Sequence, residues 1–248
     1  MPPVLLRIAA IALVTACAHS DAAARNDSAH GTSKAAASTD AAPPATAATT
    51  TAPHDSITDL ADRGRILGDS TAKVWVLMAS DFQCPFCKEW HDTNFATLVK
   101  NYVDTKRIRL AFINMPLSMH QNAVPAAEAA MCASVQNKFW PMHEALFASQ
   151  PTWEELPDPK PKLDSIAASV GVAMPAWRDC VSHHSTLALI QADHDRIRSA
   201  GVNSTPTFFV AGKMIVNNQG LSAGAAANVA GAIDAALKAS AGGAGSPR

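Results

Sequence analysis

Cys84 and Cys87 stand three residues apart in Cys84-Pro85-Phe86-Cys87. At the start of a helix that spacing puts both sulfurs on one face, within the roughly 4.4–6.8 Å Cα separation a disulfide requires. Such a pair can cycle between dithiol and disulfide without moving the fold. Cys84 would sit where unpaired backbone N–H groups and the helix dipole favour a thiolate. Each unit by which its pKa falls is worth about 1.4 kcal/mol of preference for the charged form, and it makes the sulfur a better leaving group. Cys87, one turn further in, is then the buried resolving thiol. Pro85 and Phe86 carry no charge, so the thiolate must draw its stabilisation from the helix terminus, with Lys88 or His91 as candidate helpers. A plain local disulfide or half of a zinc site are the alternatives. No second Cys-x-x-Cys and no His-x-x-x-His follows at finger spacing, which argues against zinc.

The elements around this pair follow from hydrophobic pattern. Val74 to Met78 is an apolar, β-branched run suited to a buried strand. After the turn residues Ser80 and Asp81, Pro85 suits a first helical turn, and Phe95, Leu98, Val99 and Tyr102 recur at helical spacing. A second strand covers Ile108 to Ile113, giving a βαβ start. Between Met115 and Ser199 the pattern turns helical: Ala123 to Ser134, Phe139 to Ala148, Leu163 to Val170, Ala176 to Ser182 and Thr186 to Ala200, punctuated by Pro157 to Pro161, Gly171 and Pro175. Thr207 to Val210 and Lys213 to Val216 form a hairpin across Ala211-Gly212, and Ala225 to Ala239 a last helix. The expected class is α/β, in the order βαβ, helical block, ββα.

The chain has 248 residues, 48% hydrophobic, with a formal net charge of -1. One sizeable domain fits that length. No Lys/Arg run or basic helix offers itself to phosphates, so nucleic acid is not expected as a partner. Residues 1–17 read as an export signal: Arg7 is followed by an apolar stretch, Ile8 to Val14, too short to span a bilayer. Val14-Thr15-Ala16-Cys17 resembles a bacterial lipobox, which would place lipid on Cys17; cleavage near Ala24 is the alternative. Either way the chain is expected to be exported to a bacterial periplasm or cell envelope, where disulfides persist. Residues 18–56 are rich in Ala, Thr, Ser and Pro, without aromatic residues, and read as a disordered tether or spacer. The domain is expected over 57–240, with a disordered tail over 241–248. Cys132 and Cys180 remain as a distant pair with an even count.

Ser80-Asp81-Phe82-Gln83-Cys84-Pro85-Phe86-Cys87, with Gly201-Val202-Asn203-Ser204-Thr205-Pro206-Thr207-Phe208-Phe209-Val210 far downstream, resembles the DsbA-like branch of the thioredoxin superfamily. The likeness runs from about Arg65 to Ala239 and takes in Gln136-Asn137-Lys138-Phe139-Trp140-Pro141-Met142-His143-Glu144-Ala145-Leu146-Phe147. It implies a thioredoxin-like fold with a helical subdomain inserted at about 115–200, and exchange of disulfides with exported, cysteine-containing proteins. It also implies a membrane redox partner for recycling, and neither cofactor nor metal. By the same resemblance Pro206 is a cis-proline beside the cysteine pair, and the Thr205 backbone is free to pair with an extended substrate strand. A rigid turn before an edge strand would need no substrate. Similar proteins bridge the positions of Cys132 and Cys180; two buried free thiols are the alternative. One departure stands out. Six positions before the first cysteine the family often has a buried Glu that serves proton transfer, and here that residue is Met78.

The leading reading is therefore a dithiol oxidase. A reductase or isomerase is the runner-up, although no folded dimerisation domain is expected ahead of Arg65. From a different class, Met115, Met119, His120 and His183-His184 together with the thiols would suit a copper-binding or metal-delivery protein. A non-catalytic tethering module with a vestigial cysteine pair is a third.

Overall fold

A computed structural model describes residues 56–216 and 223–242. Cys17, the export signal and the tether up to residue 55 lie outside the described residues. Ser56 belongs to the domain: it caps α1 (Ile57–Gly64) in a capping box with Asp59.

The frame is a five-stranded sheet ordered β1-β3-β2-β4-β5. At its centre β2 (Val74–Ser80) and β3 (Ile108–Asn114) run parallel, in register from Val74 opposite Ile108 to Ser80 opposite Asn114. Their mostly buried apolar side chains are what a strand pair covered on both faces demands. β1 (Ile66–Gly68) lies antiparallel on the outer side of β3. Gly68 is needed there: its φ is +110°, and a Cβ would stand 2.4 Å from the Ile108 carbonyl oxygen. β4 (Thr207–Val210) pairs antiparallel with β2, Met78 facing Phe208, and β5 (Lys213–Val216) completes the hairpin.

The crossover from β2 to β3 is one continuous helix over 85–103. It comprises α2 (Pro85–Trp90), a π turn (His91–Phe95), α3 (Ala96–Leu98) and a second π turn (Val99–Val103). The helical block between β3 and β4 holds α4 (Ala123–Ser134), α5 (Phe139–Ala148), α6 (Lys160–Ser169), α7 (Met174–Ser182) and α8 (Leu187–Ser199). α4 is buried over most of its length, and its run of alanines lets neighbouring helices approach closely. α9 (Ala223–Gly242) follows β5.

Several boundaries differ from the sequence reading. α1 and β1 were not among the expected elements, and β2 extends two residues beyond Met78, to the turn that carries the cysteines. α6 starts at Lys160, because Pro161 sits comfortably in a first turn. α9 carries helix through Gly242, so 241–242 are not tail.

Two long-range links tie the layers. Buried Arg65, just ahead of β1, pairs with buried Asp193 of α8 and with Asp62. Asp193 also accepts from the Asn114 backbone N–H (3.2 Å) and side-chain amide (3.0 Å). Every charge in the cluster therefore has a partner, as burial requires. Cys132 of α4 and Cys180 of α7 are disulfide-bonded across 48 residues of sequence. Closing a loop of that length restricts the unfolded chain by about 4 kcal/mol in the chain-entropy account. The double substitution Cys132→Ala/Cys180→Ala should therefore lower unfolding free energy by about 2–5 kcal/mol. Urea titration checks this; an unchanged midpoint would mean that the bridge does not constrain the unfolded chain.

Candidate functional site

β2 ends at Ser80, and a tight turn follows in which the Cys84 N–H donates to the Asp81 carbonyl (3.2 Å). Cys84 is the N-cap of α2, extended in backbone (φ −67°, ψ 122°), with Pro85 in the first helical turn. This places the Cys84 sulfur over the helix start and Cys87 one turn inside. Both are free thiols and both are buried. Phe86 between them is 54% exposed, an aromatic side chain standing in solvent at the mouth of the site.

The segment before β4 closes the other side. The Thr205-Pro206 peptide bond is cis, and the Thr205 carbonyl accepts from the Cys84 thiol at 3.6 Å. The Thr205 hydroxyl is buried without a hydrogen-bond partner. That hydroxyl favours the charged form of Cys84.

The two sulfurs titrate in opposite directions. Hydrogen bonding from the Cys87 thiol, opposed by burial and helped by Thr205 and the Cys87 backbone N–H, brings the Cys84 pKa down to about 6. The Asp81 charge acts against this. Burial, reinforced by hydrogen bonding and charge at Cys84, pushes the Cys87 thiol well up, with the Ser80 and Thr205 hydroxyls acting against it. Lys88 and His91 contribute through other contacts: Lys88 Nζ binds Asp92 (2.8 Å) and the Phe147 carbonyl (3.0 Å), and His91 faces Asp92 and Glu144. The helix terminus and the partner thiol carry the stabilisation.

A set of side chains that sequence reasoning missed fixes this turn. Asp81 Oδ1 accepts from the Gln83 N–H (2.8 Å), and Oδ2 accepts from the Leu117 N–H (2.8 Å) and lies 2.7 Å from His120 Nδ1. Gln83 donates to the Glu154 carbonyl (2.7 Å) and accepts from the Asn122 N–H (2.6 Å). Gln150 donates to the carbonyls of Phe82 (2.6 Å) and Cys84 (3.3 Å). These contacts span up to 71 residues, and isolated Asn and Gln residues carry no sequence signal of such partners. Met78, at the position where a carboxylate was sought, is buried in β2 between Phe112 and Phe208.

The residues considered for copper are not gathered. Met115 packs in a small apolar cluster with Ile113 and Ile197, and Met119 is 80% exposed. His120 pairs with Asp81, His183 with Asp179 and His184 with Glu128.

Residues 60–227 match a family profile described as thioredoxin. The chain belongs to the thioredoxin family, and its fold is that of the DsbA-like thiol:disulfide oxidoreductases. Over 154 residues it is 25% identical to disulfide bond formation protein D of Bacillus subtilis, covering 61% of this chain and 69% of that protein. It is also 32% identical over 154 residues to Na(+)/H(+) antiporter NhaA 3 of Salinispora tropica, but spans only 22% of that protein's length. The oxidised structure of BdbD from Bacillus subtilis superposes with a TM-score of 0.61 at 24% identity, covering 71% of this chain and 94% of that one. Wolbachia pipientis alpha-DsbA1 gives 0.58 at 22%, covering 70% and 90%. These two likenesses speak for the fold.

The split between the sulfurs sets a pH test. In the reduced protein, alkylation of Cys84 by iodoacetamide should rise with a midpoint near pH 6, with Cys87 unlabelled; a midpoint at the ordinary thiol value of about 8.5 would refute the assignment. Stability should follow. Because the folded pKa of Cys84 lies below the unfolded one, its contribution grows as pH rises above about 6 and is lost as pH falls through that value. Cys87 has the opposite sign, and its contribution fades above the unfolded thiol pKa.

Proposed function

We propose that this chain is an exported protein dithiol oxidase acting through Cys84 and Cys87. The carrying observation is the asymmetry of the pair: Cys84, at the helix start, is favoured as a thiolate, whereas Cys87 is held as a thiol by burial. Stabilising the reduced form in this way makes the disulfide form more oxidising.

The cycle begins with Cys84 and Cys87 joined. A substrate thiolate attacks Cys84 Sγ, the Cys84–Cys87 bond breaks, and Cys87 leaves with the electron pair and takes up a proton. A second substrate thiolate then attacks the substrate sulfur of the mixed disulfide, and Cys84 departs as a thiolate. The substrate has lost two electrons to the cysteine pair, and a membrane redox partner must remove them. Thr205 and Pro206 stand beside Cys84, where an extended substrate backbone would pair, and the exposed Phe86 ring offers apolar contact. The name of the Bacillus subtilis relative supports the direction of this reading.

Export, periplasmic or envelope location and a lipid on Cys17 belong to the same proposal. They rest on residues 1–17, and a leader ending in a lipidated cysteine would tether the domain through residues 18–56. No helix among the described residues is long and apolar enough to cross a membrane.

The deciding measurement is the reduction potential of Cys84–Cys87 in glutathione buffer with Cys132–Cys180 intact. It should lie well above the value of about -270 mV of thioredoxin; a value near that figure would make the protein a reductase. Cys84→Ser should abolish exchange with a dithiol peptide while leaving thermal unfolding of the domain intact.

A further inference from the structure

Two turns beyond Cys84 on the same helix, His91 lies against His143 and Glu144 of α5. The ligand atoms of these three residues lie within 4.8 Å of one another. His91 Nε2 is 3.1 Å from Glu144 Oε2, and His143 Nδ1 is 3.4 Å from Glu144 Oε1. Donors around a tetrahedral ion at about 2.0–2.2 Å stand roughly 3.3–3.6 Å apart, so the His143–Glu144 spacing already suits one and the His91–Glu144 spacing would open by a few tenths of an ångström on binding.

Three further features point to a ligand. His143 is fully buried, and neither of its ring nitrogens has a hydrogen-bond partner; buried His91 Nε2 has none either, despite its approach to Glu144. Unsatisfied imidazole nitrogens in such surroundings are costly and call for a partner. His91 Nδ1 lies 3.0 Å from Asp92 Oδ1, and Asp92 is held in turn by Lys88 Nζ at 2.8 Å. A carboxylate on the far nitrogen leaves Nε2 as the lone-pair nitrogen, the orientation metal-binding histidines take. Finally, Glu144 is 52% exposed and lines a surface groove of about 360 Å³ with Phe95 and Trp140, whose rings lie against His143, so the carboxylate of the trio meets solvent.

We propose that His91, His143 and Glu144 form a binding site for one divalent transition-metal ion of the zinc type, with water completing the coordination. Two imidazoles and one carboxylate suit zinc, and copper(II) would compete. A bound ion would clamp the cysteine-bearing helix to α5 of the inserted block. It is a site separate from the thiols, so its failure would leave the reading of Cys84 and Cys87 untouched.

The test titrates Zn²⁺ into the full chain carrying Cys17→Ser with Cys84–Cys87 oxidised, so that no thiol can bind, followed by calorimetry; Co²⁺ absorption reports coordination number. One ion per chain is expected, with four- or five-coordinate cobalt bands. Glu144→Gln, at a half-exposed position, should weaken binding about tenfold or more without altering the fold, and His91→Gln should do the same. His183→Ala/His184→Ala, which removes an exposed histidine pair elsewhere, should change nothing. Absence of binding to the oxidised protein, or binding that Glu144→Gln leaves intact and the His183/His184 variant abolishes, would overturn the proposal.

Discussion

Two sulfurs one helical turn apart live in different media, and the chemistry of the site depends on that difference. Cys84 caps the helix over 85–103, where the Cys87 thiol and the Cys87 backbone N–H favour its charged form. Cys87 is enclosed, and charge on it would have to be desolvated. The proton that Cys87 keeps is thus what makes the Cys84 anion affordable in a buried place. The pair behaves as one titrating unit with one preferred location for the charge. A substitution that opened Cys87 to water would raise the Cys84 pKa without touching Cys84 itself.

Keeping that difference requires the turn from Ser80 to Cys84 to be rigid, and the rigidity comes from the inserted helices. Asp81, Gln83, Asn122 and Gln150 form a buried lattice in which the carbonyls of Phe82, Cys84 and Glu154 all find donors. Each such bond contributes only about 0.5–1.5 kcal/mol net, but leaving a buried group unpaired costs about 1–3 kcal/mol. The lattice therefore acts by penalising every other arrangement of the turn. The helical block is part of the site in this sense: without it the N-cap carrying Cys84 would have free backbone groups on its outer side.

What could be read from the sequence was local. Cys84 and Cys87 announce themselves by spacing, β2 and β3 by apolar β-branched runs, and α4 and α5 by their helical pattern. β1 escaped because three residues ending in Gly68 have no periodicity to detect. The π turns at His91 and Val99 escaped because they alter hydrogen bonding without altering composition. Arg65 with Asp193 is separated by 128 residues and Gln83 with Glu154 by 71, and nothing in either neighbourhood specifies its partner. His143 lay inside a quoted motif, yet its surroundings of Phe112, Phe147 and Trp140 rings were visible only in the folded chain.

Met78 shows how one apolar residue shapes proton handling. A carboxylate there would face Phe112 and Phe208 across the sheet, and its ionisation would be opposed by burial. With Met78 in place, the polar groups acting on Cys87 besides Cys84 are the hydroxyls of Ser80 and Thr205. A hydroxyl can accept one proton while releasing another, but it cannot hold charge near neutral pH. Neither hydroxyl adds a charge of its own, so no carboxylate at this position repels an anion at Cys87. Asp81, the carboxylate that acts on the pair, is saturated by the N–H groups of Gln83 and Leu117 and by His120, and it opposes the Cys84 thiolate. The location of the charge is consequently decided by desolvation of Cys87 and by its own hydrogen bond to Cys84, and not by an acid placed beside them.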